Sequence, residues 1–506
     1  MELSELIKEL DIIHISGEEA GVVSDICYDS RRSQEDSLFV AISGLKFDGH
    51  DYISDAIKRG ARYIIHEKDV SINPGISFIK VADSRRTLGK LGKKFFRNPT
   101  SELCLIGVTG TNGKTTVTYL LESILESAGF RVGVIGTINY RFGGNTFESS
   151  ITTPESLDLQ RIFRNMVNAG ITHVIVEVSS HALDLGRVDD CEYDLGIFTN
   201  LSQDHLDYHL TLDNYFLAKR RFFSDILKEG KKMIINVDDP WGRQLFEKVG
   251  SAGLTFGIEH RTHVFSDEYT LSLNGINATL KIPQGSIAIT SPMIGKFNLY
   301  NILASTAAAA VLMIPEKYIK AGIKRLEKVP GRLEKVSGSD EPAVFVDYAH
   351  TEDALKSVLE NLSEFKTKKI ITVFGCGGDR DRGKRPLMGR AAAEFSDLAI
   401  ITSDNPRTEN PLAIIDEIER GVRSGTIRKY RPVDYHSGFD EKGYIVISDR
   451  TEAIHLAIRI AEQDDIVLIA GKGHEDYQIL GETKIWFDDT VIARKALEQR
   501  RSGRAG

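Results

Sequence analysis

The chain of 506 residues has few cysteines, no long apolar run and no excess of positive charge. Its four cysteines form no CxxC pair, so neither a zinc site nor a disulfide framework is indicated and a reducing compartment fits. The longest apolar run, AAAAVLMI at 307–314, is far shorter than the ~20 residues of a membrane helix, and the N-terminus lacks a signal-peptide pattern. A net charge of -8 argues against a large nucleic-acid footprint. We therefore expect a cytoplasmic protein that binds neither nucleic acid nor membrane.

The composition and length are those of a globular protein with about three domains. Hydrophobic residues make up 41% of the chain and charged residues 27%, which is enough apolar material for several cores. A linker-like stretch at 96–102 and a second boundary within 329–336 divide the chain into segments 1–99, 100–331 and 332–506. The middle segment alternates strand and helix patterns. This alternation predicts an α/β fold with a mostly parallel sheet.

The stretch GVTGTNGKTT at 107–116 lies between a strand pattern and a helix pattern and predicts a phosphate-binding loop. The backbone N–H groups of such a loop and the following helix N-terminus favour phosphate oxygens. Lys114 can reach the outer phosphates and the Thr115 hydroxyl can bind magnesium. The loop departs from the common Walker pattern, because Val108 stands where a glycine is expected. A glycine-rich turn without a ligand is the simpler alternative.

Three further polar features of the middle segment allow more than one interpretation. Glu177 ends the apolar stretch VIVE, where nucleotide-binding folds often place a magnesium carboxylate. The stretch NLSQDHLDYH at 200–209 could bind a second metal ion or form a solvated helix start, and spacing does not decide between them. Lys219, in FLAKRRFF, has the pattern of a surface lysine on an amphipathic helix. The absence of an NKxD motif disfavours a GTPase switch.

The last segment repeats one arrangement four times, an apolar strand followed by a polar or glycine-rich loop. The pairs are AVFV with DYAH, IITVF with GCGGDRD, LAIIT with SDNPR, and IVLIA with GKGHE. Because open α/β sheets bind ligands beyond the carboxyl ends of their strands, these loops predict one crevice for a small polar ligand. The alternative is that glycine and aspartate serve only as turn residues.

Together these stretches resemble the Mur ligases, the ATP-dependent amino-acid-adding enzymes of peptidoglycan and cell-wall synthesis. The resemblance covers nearly the whole chain. It is carried in order by DSRR, TGTNGKTT, TTPE, EVSSHAL, NLSQDHLDYH, GKFNLYN, PGRLE, VDYAHT, GCGGDRDRGKRPLMG, SDNPR and GKGHE. It implies a small α/β UDP-binding domain, a central P-loop ATPase-like domain and a C-terminal Rossmann-like domain that binds an amino acid. It also implies that ATP converts a substrate carboxylate into an acyl phosphate, which an amine then attacks.

The resemblance further assigns roles to single residues. Lys219 matches the family lysine that reacts with CO2 to form a carbamate, N6-carboxylysine, and the implied cofactors are two Mg2+ ions with ATP as co-substrate. The catalytic set is Lys114, Glu177, His205 and Lys219, and the metal set is Thr115, Glu177, His205 and carbamylated Lys219. ATP would be bound by Gly110, Thr111, Asn112, Gly113, Lys114, Thr115, Thr116, Asn301, Arg332 and Asp347. The UDP-muramyl-peptide would be bound by Ser30, Arg31, Thr152, Thr153, Ser179 and Arg187.

The sharpest expectation concerns the amino acid that is added. In the family, DNPR accompanies meso-diaminopimelate, and this chain has it within SDNPRTENP at 403–411. By resemblance the pocket comprises Arg380, Asp404, Asn405, Pro406, Arg407, Gly471 and Glu475. The expected acceptor is the D-glutamate γ-carboxylate of UDP-N-acetylmuramoyl-L-alanyl-D-glutamate. The alternatives are a lysine-adding member of the family, a folylpolyglutamate synthetase-like ligase and, more distantly, a non-enzymatic P-loop switch.

Overall fold

A computed structural model describes most of the chain, arranged as three α/β domains in sequence order. It describes residues 1–44, 47–149, 151–227, 230–250, 253–338, 340–423, 427–431 and 439–504. Among these residues, no helix combines the length and apolar character that crossing a bilayer requires. The described cysteines are all free thiols.

The N-terminal domain is a five-stranded sheet in the order β1-β5-β4-β3-β2, in which β1 runs antiparallel and the other pairs are parallel. The apolar runs predicted as strands, SLFV and ARYIIH, form its centre because both of their faces are covered. The elements are β1 (Ile12–Ser16), β2 (Ile26–Cys27), β3 (Ser37–Val40), β4 (Ala61–His66), β5 (Ser77–Val81), α1 (Leu3–Leu6), α2 (Ile53–Lys58) and α3 (Ser84–Phe95).

The middle domain contains an eight-stranded sheet in the order β13-β12-β11-β6-β10-β7-β8-β9. Its first six strands are parallel, as predicted, and β8 and β9 extend one edge as an antiparallel hairpin. A separate antiparallel sheet, β14-β15-β16, was not predicted from the sequence. The strands are β6 (Cys104–Thr109), β7 (Val132–Ile135), β8 (Asn139–Phe142), β9 (Asn145–Glu148), β10 (His173–Glu177), β11 (Leu195–Phe198), β12 (Lys232–Asn236), β13 (Leu254–Phe256), β14 (Phe265–Ser272), β15 (Gly275–Ile282) and β16 (Gly285–Ser291).

The helices of the middle domain cover the faces of this sheet. The alanine-rich stretch forms one helix that is buried on nearly all sides and packs closely against α4 and the sheet, since small side chains permit a close approach. The helices are α4 (Lys114–Ser127), α5 (Ser156–Asn168), α6 (Ser180–Asp184), α7 (Leu206–His209), α8 (Leu212–Arg221), α9 (Pro240–Val249), α10 (Lys296–Val311) and α11 (Glu316–Arg325).

The C-terminal domain is a seven-stranded sheet in the order β17-β18-β23-β19-β20-β22-β21, parallel except for β17. A small hairpin, β24-β25, stands apart from it. The strands are β17 (Glu334–Lys335), β18 (Ala343–Asp347), β19 (Ile370–Phe374), β20 (Leu398–Ile401), β21 (Arg428–Lys429), β22 (Gly443–Val446), β23 (Ile466–Ala470), β24 (Tyr477–Leu480) and β25 (Thr483–Trp486). The helices are α12 (Glu352–Ser363), α13 (Lys384–Phe395), α14 (Pro411–Val422), α15 (Arg450–Ile460) and α16 (Asp489–Arg504).

The four polar loops predicted to form one crevice follow β18, β19, β20 and β23. These strands are neighbours in the order β18-β23-β19-β20 and all run in the same direction. Their carboxyl ends therefore meet at one edge of the sheet, as the sequence predicts. That edge faces the phosphate loop of the middle domain across a cleft that both domains line.

Candidate active site

The phosphate loop connects the end of β6 to the start of α4 and is closed by its own lysine. Gly113 has a φ of +86°, a left-handed conformation that favours glycine, and its missing side chain leaves room for the Asn301 amide. The Lys114 ammonium donates to the carbonyls of Gly110 at 2.9 Å and Thr111 at 2.7 Å. The first N–H groups of α4 and the Lys114 ammonium therefore lie close together, and both can bind the oxygen atoms of a phosphate.

Glu177 ends β10 as predicted and lies beside the phosphate loop, where it is 1% exposed. Its Oε2 accepts hydrogen bonds from the hydroxyls of Thr115 at 3.1 Å and Thr137 at 2.9 Å. Its Oε1 accepts from the Thr137 backbone N–H at 3.1 Å. A carboxylate beside a threonine hydroxyl at the start of the loop helix is an oxygen donor pair that suits Mg2+. The sequence did not single out Thr137.

Lys219 is buried, so the prediction of a surface lysine from the helix pattern is wrong. Its side chain is 1% exposed, and its ammonium donates to the Gly110 carbonyl at 2.8 Å. It also lies 4.5 Å from the centre of the Tyr215 ring. Burial, and then the positive charge of Lys114, hold the pKa of Lys219 well below its usual range. The helix pattern failed because α8 turns this polar position toward the phosphate loop rather than toward solvent.

The stretch at 200–209 contributes a second group of polar side chains to the same cleft. His205 precedes the short helix α7 with a φ of +54°, and its Nε2 lies 3.5 Å from Oδ2 of Asp204. The His205 side chain is 44% exposed, and its partial burial in the cleft lowers its pKa, so the imidazole is neutral near pH 7 and has a free nitrogen lone pair. Both Asp204 and His205 line the cleft with Lys219. The sequence analysis selected His205 but not Asp204, although the two are adjacent.

Two magnesium ions would require donor sets made mainly of oxygen atoms. In the part of the chain that the structure describes, no three histidine, cysteine, aspartate or glutamate side chains converge as a ready metal-binding group. Thr115 and Glu177 fit one ion, because both present oxygen atoms. Lys219 fits a second site only as a carbamate, since an ammonium repels a cation and offers no lone pair.

The cleft between the middle and C-terminal domains has a volume of about 540 Å3. The predicted ATP residues Asn301, Arg332 and Asp347 line it together with the phosphate loop. The Arg332 guanidinium lies 4.7 Å from the centre of the Tyr348 ring and donates to the Thr115 hydroxyl at 3.4 Å. One side of this cleft therefore comes from the C-terminal domain.

Asp347 lies at the end of β18 and is buried. It accepts from the backbone N–H groups of Leu333 at 2.6 Å and Ala349 at 2.7 Å, which fixes the loop that follows the strand. Burial raises the pKa of Asp347 above its usual range. Tyr348 and His350 follow in the same loop and also line the cleft. The sequence predicts a ligand loop at DYAH but does not single out these two residues.

The predicted muramyl-peptide residues occupy two separate places. Thr152 and Ser179 line the cleft. Thr153 lies directly behind, where its hydroxyl donates to the Glu177 carbonyl at 2.7 Å and its own carbonyl accepts from Arg187 at 3.1 Å. Ser30 and Arg31 belong to a short 3-10 helix of the N-terminal domain, where Ser30 is buried and the exposed Arg31 pairs with Asp29 at 2.7 Å. These two residues line neither of the cavities described here.

A second cavity, of about 640 Å3, lies against the first at the crevice of the C-terminal sheet. It is lined by six of the seven predicted amino-acid residues: Arg380, Asp404, Asn405, Arg407, Gly471 and Glu475. The seventh, Pro406, is turned away, and its carbonyl packs where a side chain on Gly378 would lie, so glycine is required there. The two cavities share a wall formed by Asp204, His205, Tyr348, His350 and Thr351.

The loop that carries Arg407 is held by the hairpin β24-β25, which the sequence did not predict. Arg407 has a φ of +52°, which is unusual for a residue with a side chain. Its N–H donates to the Ile479 carbonyl at 3.1 Å, and its carbonyl accepts from the Gly481 N–H at 2.8 Å. The buried amide of Gln478 donates to the Asp404 carbonyl at 2.6 Å. The hairpin therefore fixes both ends of the four-residue stretch DNPR.

The fold and the site together define a nucleotide-binding enzyme of three α/β domains, in which a cavity with charged side chains adjoins the cleft at a phosphate loop. Family models agree with this class, domain by domain. The Mur ligase family catalytic domain matches residues 22–95, the Mur ligase middle domain matches 108–309, and the Mur ligase glutamate ligase domain matches 331–473. The chain belongs to the Mur ligase family.

Individual relatives and solved structures agree with this family assignment. A UDP-N-acetylmuramoyl-L-alanyl-D-glutamate--2,6-diaminopimelate ligase from Geobacter metallireducens is 46% identical over 97% of each chain. One of the same name from Geobacter sulfurreducens is 43% identical over 99% of this chain and all of its own. A solved structure of that name has a TM-score of 0.69 at 32% identity, over 99% of both chains. A Thermotoga maritima MurF ligase in complex with ADP shares the fold, with a TM-score of 0.62 at 19% identity, over 95% of this chain and 98% of its own.

Proposed function

We propose that this protein is an ATP-dependent ligase that joins meso-2,6-diaminopimelate to the D-glutamate γ-carboxylate of UDP-N-acetylmuramoyl-L-alanyl-D-glutamate. The observation that carries the proposal is the shared wall between the two cavities. At this wall the cavity of about 640 Å3, which has charged side chains, adjoins the cleft that contains the phosphate loop. The diaminopimelate ligases that are 46% and 43% identical over nearly the whole chain support the same substrates. We infer that the reaction takes place in the cytoplasm, as part of peptidoglycan precursor synthesis.

The chemistry runs through a transferred phosphoryl group. The substrate carboxylate attacks the γ-phosphorus of ATP, the bond to the β-phosphate oxygen breaks, and ADP leaves. The neutral amine of the amino acid then attacks the acyl phosphate carbon, and the tetrahedral intermediate expels phosphate and loses a proton to form the amide. Lys114 and the loop N–H groups hold the terminal phosphates, while Arg332 reaches the same place from the C-terminal domain. Positioning and neutralisation of charge are the main contributions of the protein.

Magnesium would be held by residues that already face the phosphate loop. Thr115 and Glu177 would hold one ion, and His205 with carbamylated Lys219 would hold the second. When bound, the ions neutralise phosphate charge. The proposal that Lys219 is carbamylated is supported by its burial and by its depressed pKa. A neutral amine is the form that adds to CO2, and the product loses one proton to become an anion with two oxygen ligands.

The charges at the far end of the amino acid distinguish diaminopimelate from lysine. Diaminopimelate carries a carboxylate and an ammonium at its far end, whereas lysine carries only an ammonium there. The Arg407 guanidinium lines the second cavity and can meet that carboxylate in a two-pronged hydrogen bond. Glu475 suits the ammonium. Lysine would leave Arg407 without its partner and next to another positive charge, which costs roughly 2–5 kcal/mol and corresponds to a ~30-fold or greater preference.

The test is release of ADP and phosphate by the purified full-length protein. We expect release to require both UDP-muramyl-dipeptide and diaminopimelate, with kcat/KM at least ~30-fold lower for lysine. Arg407→Ala should remove most of this preference. Arg423→Ala, which changes an exposed arginine in the same domain, is the matched control and should leave the preference unchanged. Equal specificity constants for the two amino acids would reject diaminopimelate, and turnover with a folate acceptor instead would favour the folylpolyglutamate alternative.

A further inference from the structure

A buried lysine connects the residues of the amino-acid pocket, although none of the roles above uses it. Lys472 follows β23 in the stretch GKGHE, and its side chain is 0% exposed. Its ammonium donates to Oδ1 of Asn405 at 3.2 Å and to Oε2 of Glu475 at 3.2 Å. Oδ1 of Asp404 lies 3.6 Å away. Lys472 therefore touches two of the loops that build the pocket.

Glu475 is held by two donors at a single oxygen. Oε2 also accepts from Nδ2 of Asn405 at 2.9 Å, while Oδ1 of Asn405 accepts from the Ile479 N–H at 3.0 Å. The three side chains thus form a closed triangle in which Lys472 donates to both of the others. Lys472 cannot reach solvent, so its charge must be balanced by these partners.

The charges around Glu475 come from several elements. Asp404 and Arg450 face it from the loop after β20 and from the start of α15, and Tyr348 and Tyr477 face it from the loop after β18 and from the hairpin. Burial and the negative charge of Asp404 raise the pKa of Glu475 above its usual range, while Lys472 and the Asn405 amide act in the opposite direction. Lys472 is the nearest cation that favours the carboxylate form.

We propose that Lys472 is a positioning residue for the amino-acid substrate, which acts through Glu475 by fixing its carboxylate as the anion that meets the far ammonium of diaminopimelate. This inference rests on the proposed function. With Arg407 and Lys472 balanced by Asp404 and Glu475, these four side chains carry no net charge, which suits a ligand end with one charge of each sign. Without Lys472, Glu475 would be harder to ionise, and the far ammonium of the amino acid would lose its anionic partner.

The experiment measures kcat/KM for diaminopimelate and for lysine with wild-type protein and with Lys472→Met, between pH 7 and pH 9. We expect Lys472→Met to lower kcat/KM for diaminopimelate at least ~10-fold near pH 7, because one buried charged hydrogen-bond partner is lost. The ratio of mutant to wild-type kcat/KM should rise with pH, because Glu475 needs a higher pH to ionise in the protein that lacks Lys472. The value for lysine should fall as well, because it also carries a far ammonium, while KM for ATP stays unchanged.

Lys369→Met is the matched control, because Lys369 lies at the opposite edge of the same sheet, where it donates to the Phe439 carbonyl. It should leave both values of kcat/KM and the pH profile unchanged. A second comparison is between Glu475→Gln and the double variant with Lys472→Met. If Lys472 acts through Glu475, the double variant should be within about threefold of Glu475→Gln, since coupled residues are not additive.

The double variant also keeps the inference testable if Lys472→Met does not fold, because it removes both charges of the pair. A folded double variant with the activity of Glu475→Gln supports the role of Lys472. A mutant-to-wild-type ratio that does not change with pH, or a double variant far less active than Glu475→Gln, would overturn it. If wild-type protein does not use diaminopimelate, the proposed function fails instead, and the two failures are distinguishable.

Discussion

The ammonium of Lys219 lies 2.8 Å from the carbonyl oxygen of Gly110, inside the loop that also carries Lys114. Two lysines therefore converge on one glycine carbonyl, and burial lowers the pKa of both. A buried lysine with a lowered pKa beside the phosphate loop supports the proposed carbamate, which would hold a metal ion near the phosphates.

Replacing Lys219 with alanine should therefore nearly abolish turnover, because the anionic ligand is lost. Addition of acetate should restore part of the activity by supplying a carboxylate in the same space. Lys248→Ala, the same change at an exposed lysine of α9, should leave turnover intact. Mass spectrometry or 13C NMR with labelled CO2 would detect the carbamate directly. Full activity in CO2-free buffer, with an unmodified ammonium at Lys219, would contradict this prediction.

Arg332 links the C-terminal domain to the phosphate loop through Thr115, at 3.4 Å, and its buried Nε has no hydrogen-bond partner among the residues that the structure describes. We expect Arg332→Ala to raise KM for ATP at least ~10-fold, since a charged hydrogen bond to phosphate contributes roughly 1.5–3 kcal/mol. The variant should also show less compaction in small-angle scattering when an ATP analogue and both substrates are added. Arg325→Ala, at the end of α11, serves as the control. Wild-type compaction and an unchanged KM in Arg332→Ala would exclude the role.

Gln478 lies in the hairpin that supports the DNPR loop and does not touch the substrate. Gln478→Ala removes the 2.6 Å hydrogen bond to the Asp404 carbonyl and leaves that oxygen unpaired in a buried place. KM for diaminopimelate should rise ~5–30-fold, in line with a loss of 1–2 kcal/mol, while KM for ATP should not change. Glu482→Ala, at the exposed turn of the same hairpin, should be neutral. An equal rise of both KM values would indicate general unfolding rather than a local effect.

His474 makes stability depend on pH. Burial, and then the positive charge of Arg332, lower the pKa of His474 to about 4, and within the described part of the chain its buried Nδ1 has no hydrogen-bond partner. An unfolded histidine titrates near pH 6.5, so between about pH 6.5 and pH 4 the unfolded state binds one more proton than the folded state. The free energy of unfolding should therefore fall as pH falls through this range, by up to ~1.4 kcal/mol per pH unit.

His474→Gln should remove this contribution, so the variant should lose less stability than wild type between pH 7 and pH 5. Thermal or urea unfolding at the two pH values measures the difference. His455→Gln, which changes a histidine of α15, is the control and should follow wild type. An identical pH dependence for wild type and His474→Gln would show that another group is responsible.

Much of this site could be predicted because its chemistry lies at the ends of apolar strands. A buried strand that stops at a polar residue fixes the place of that residue, as with Glu177 at the end of β10 and the four loops of the C-terminal sheet. Glycines with a left-handed backbone mark the phosphate loop for a similar reason, since few other residues adopt that conformation. These signals are local in sequence.

The remaining features depend on contacts between distant residues. The helical pattern around Lys219 is that of a surface residue, and only the packing of α8 against the phosphate loop buries it. The hairpin β24-β25 lacks a strong turn motif of the Asn-Gly type and pairs with the backbone of Arg407, more than 70 residues earlier in sequence. In the sequence Lys472 cannot be distinguished from a solvated lysine, because the carboxylates of Asp404 and Glu475 are brought to it by tertiary structure.

The left-handed backbone of Arg407 has a consequence for how this enzyme could change over generations. A non-glycine residue in that conformation costs on the order of 1–2 kcal/mol, which glycine would recover. Glycine there would relieve this strain, but it would also remove the guanidinium and its hydrogen bond to the Gly378 carbonyl at 2.7 Å. The position therefore retains a strained backbone together with the one side chain that the proposed choice of amino acid needs, so selection for backbone ease and selection for the correct cell-wall precursor would favour different residues.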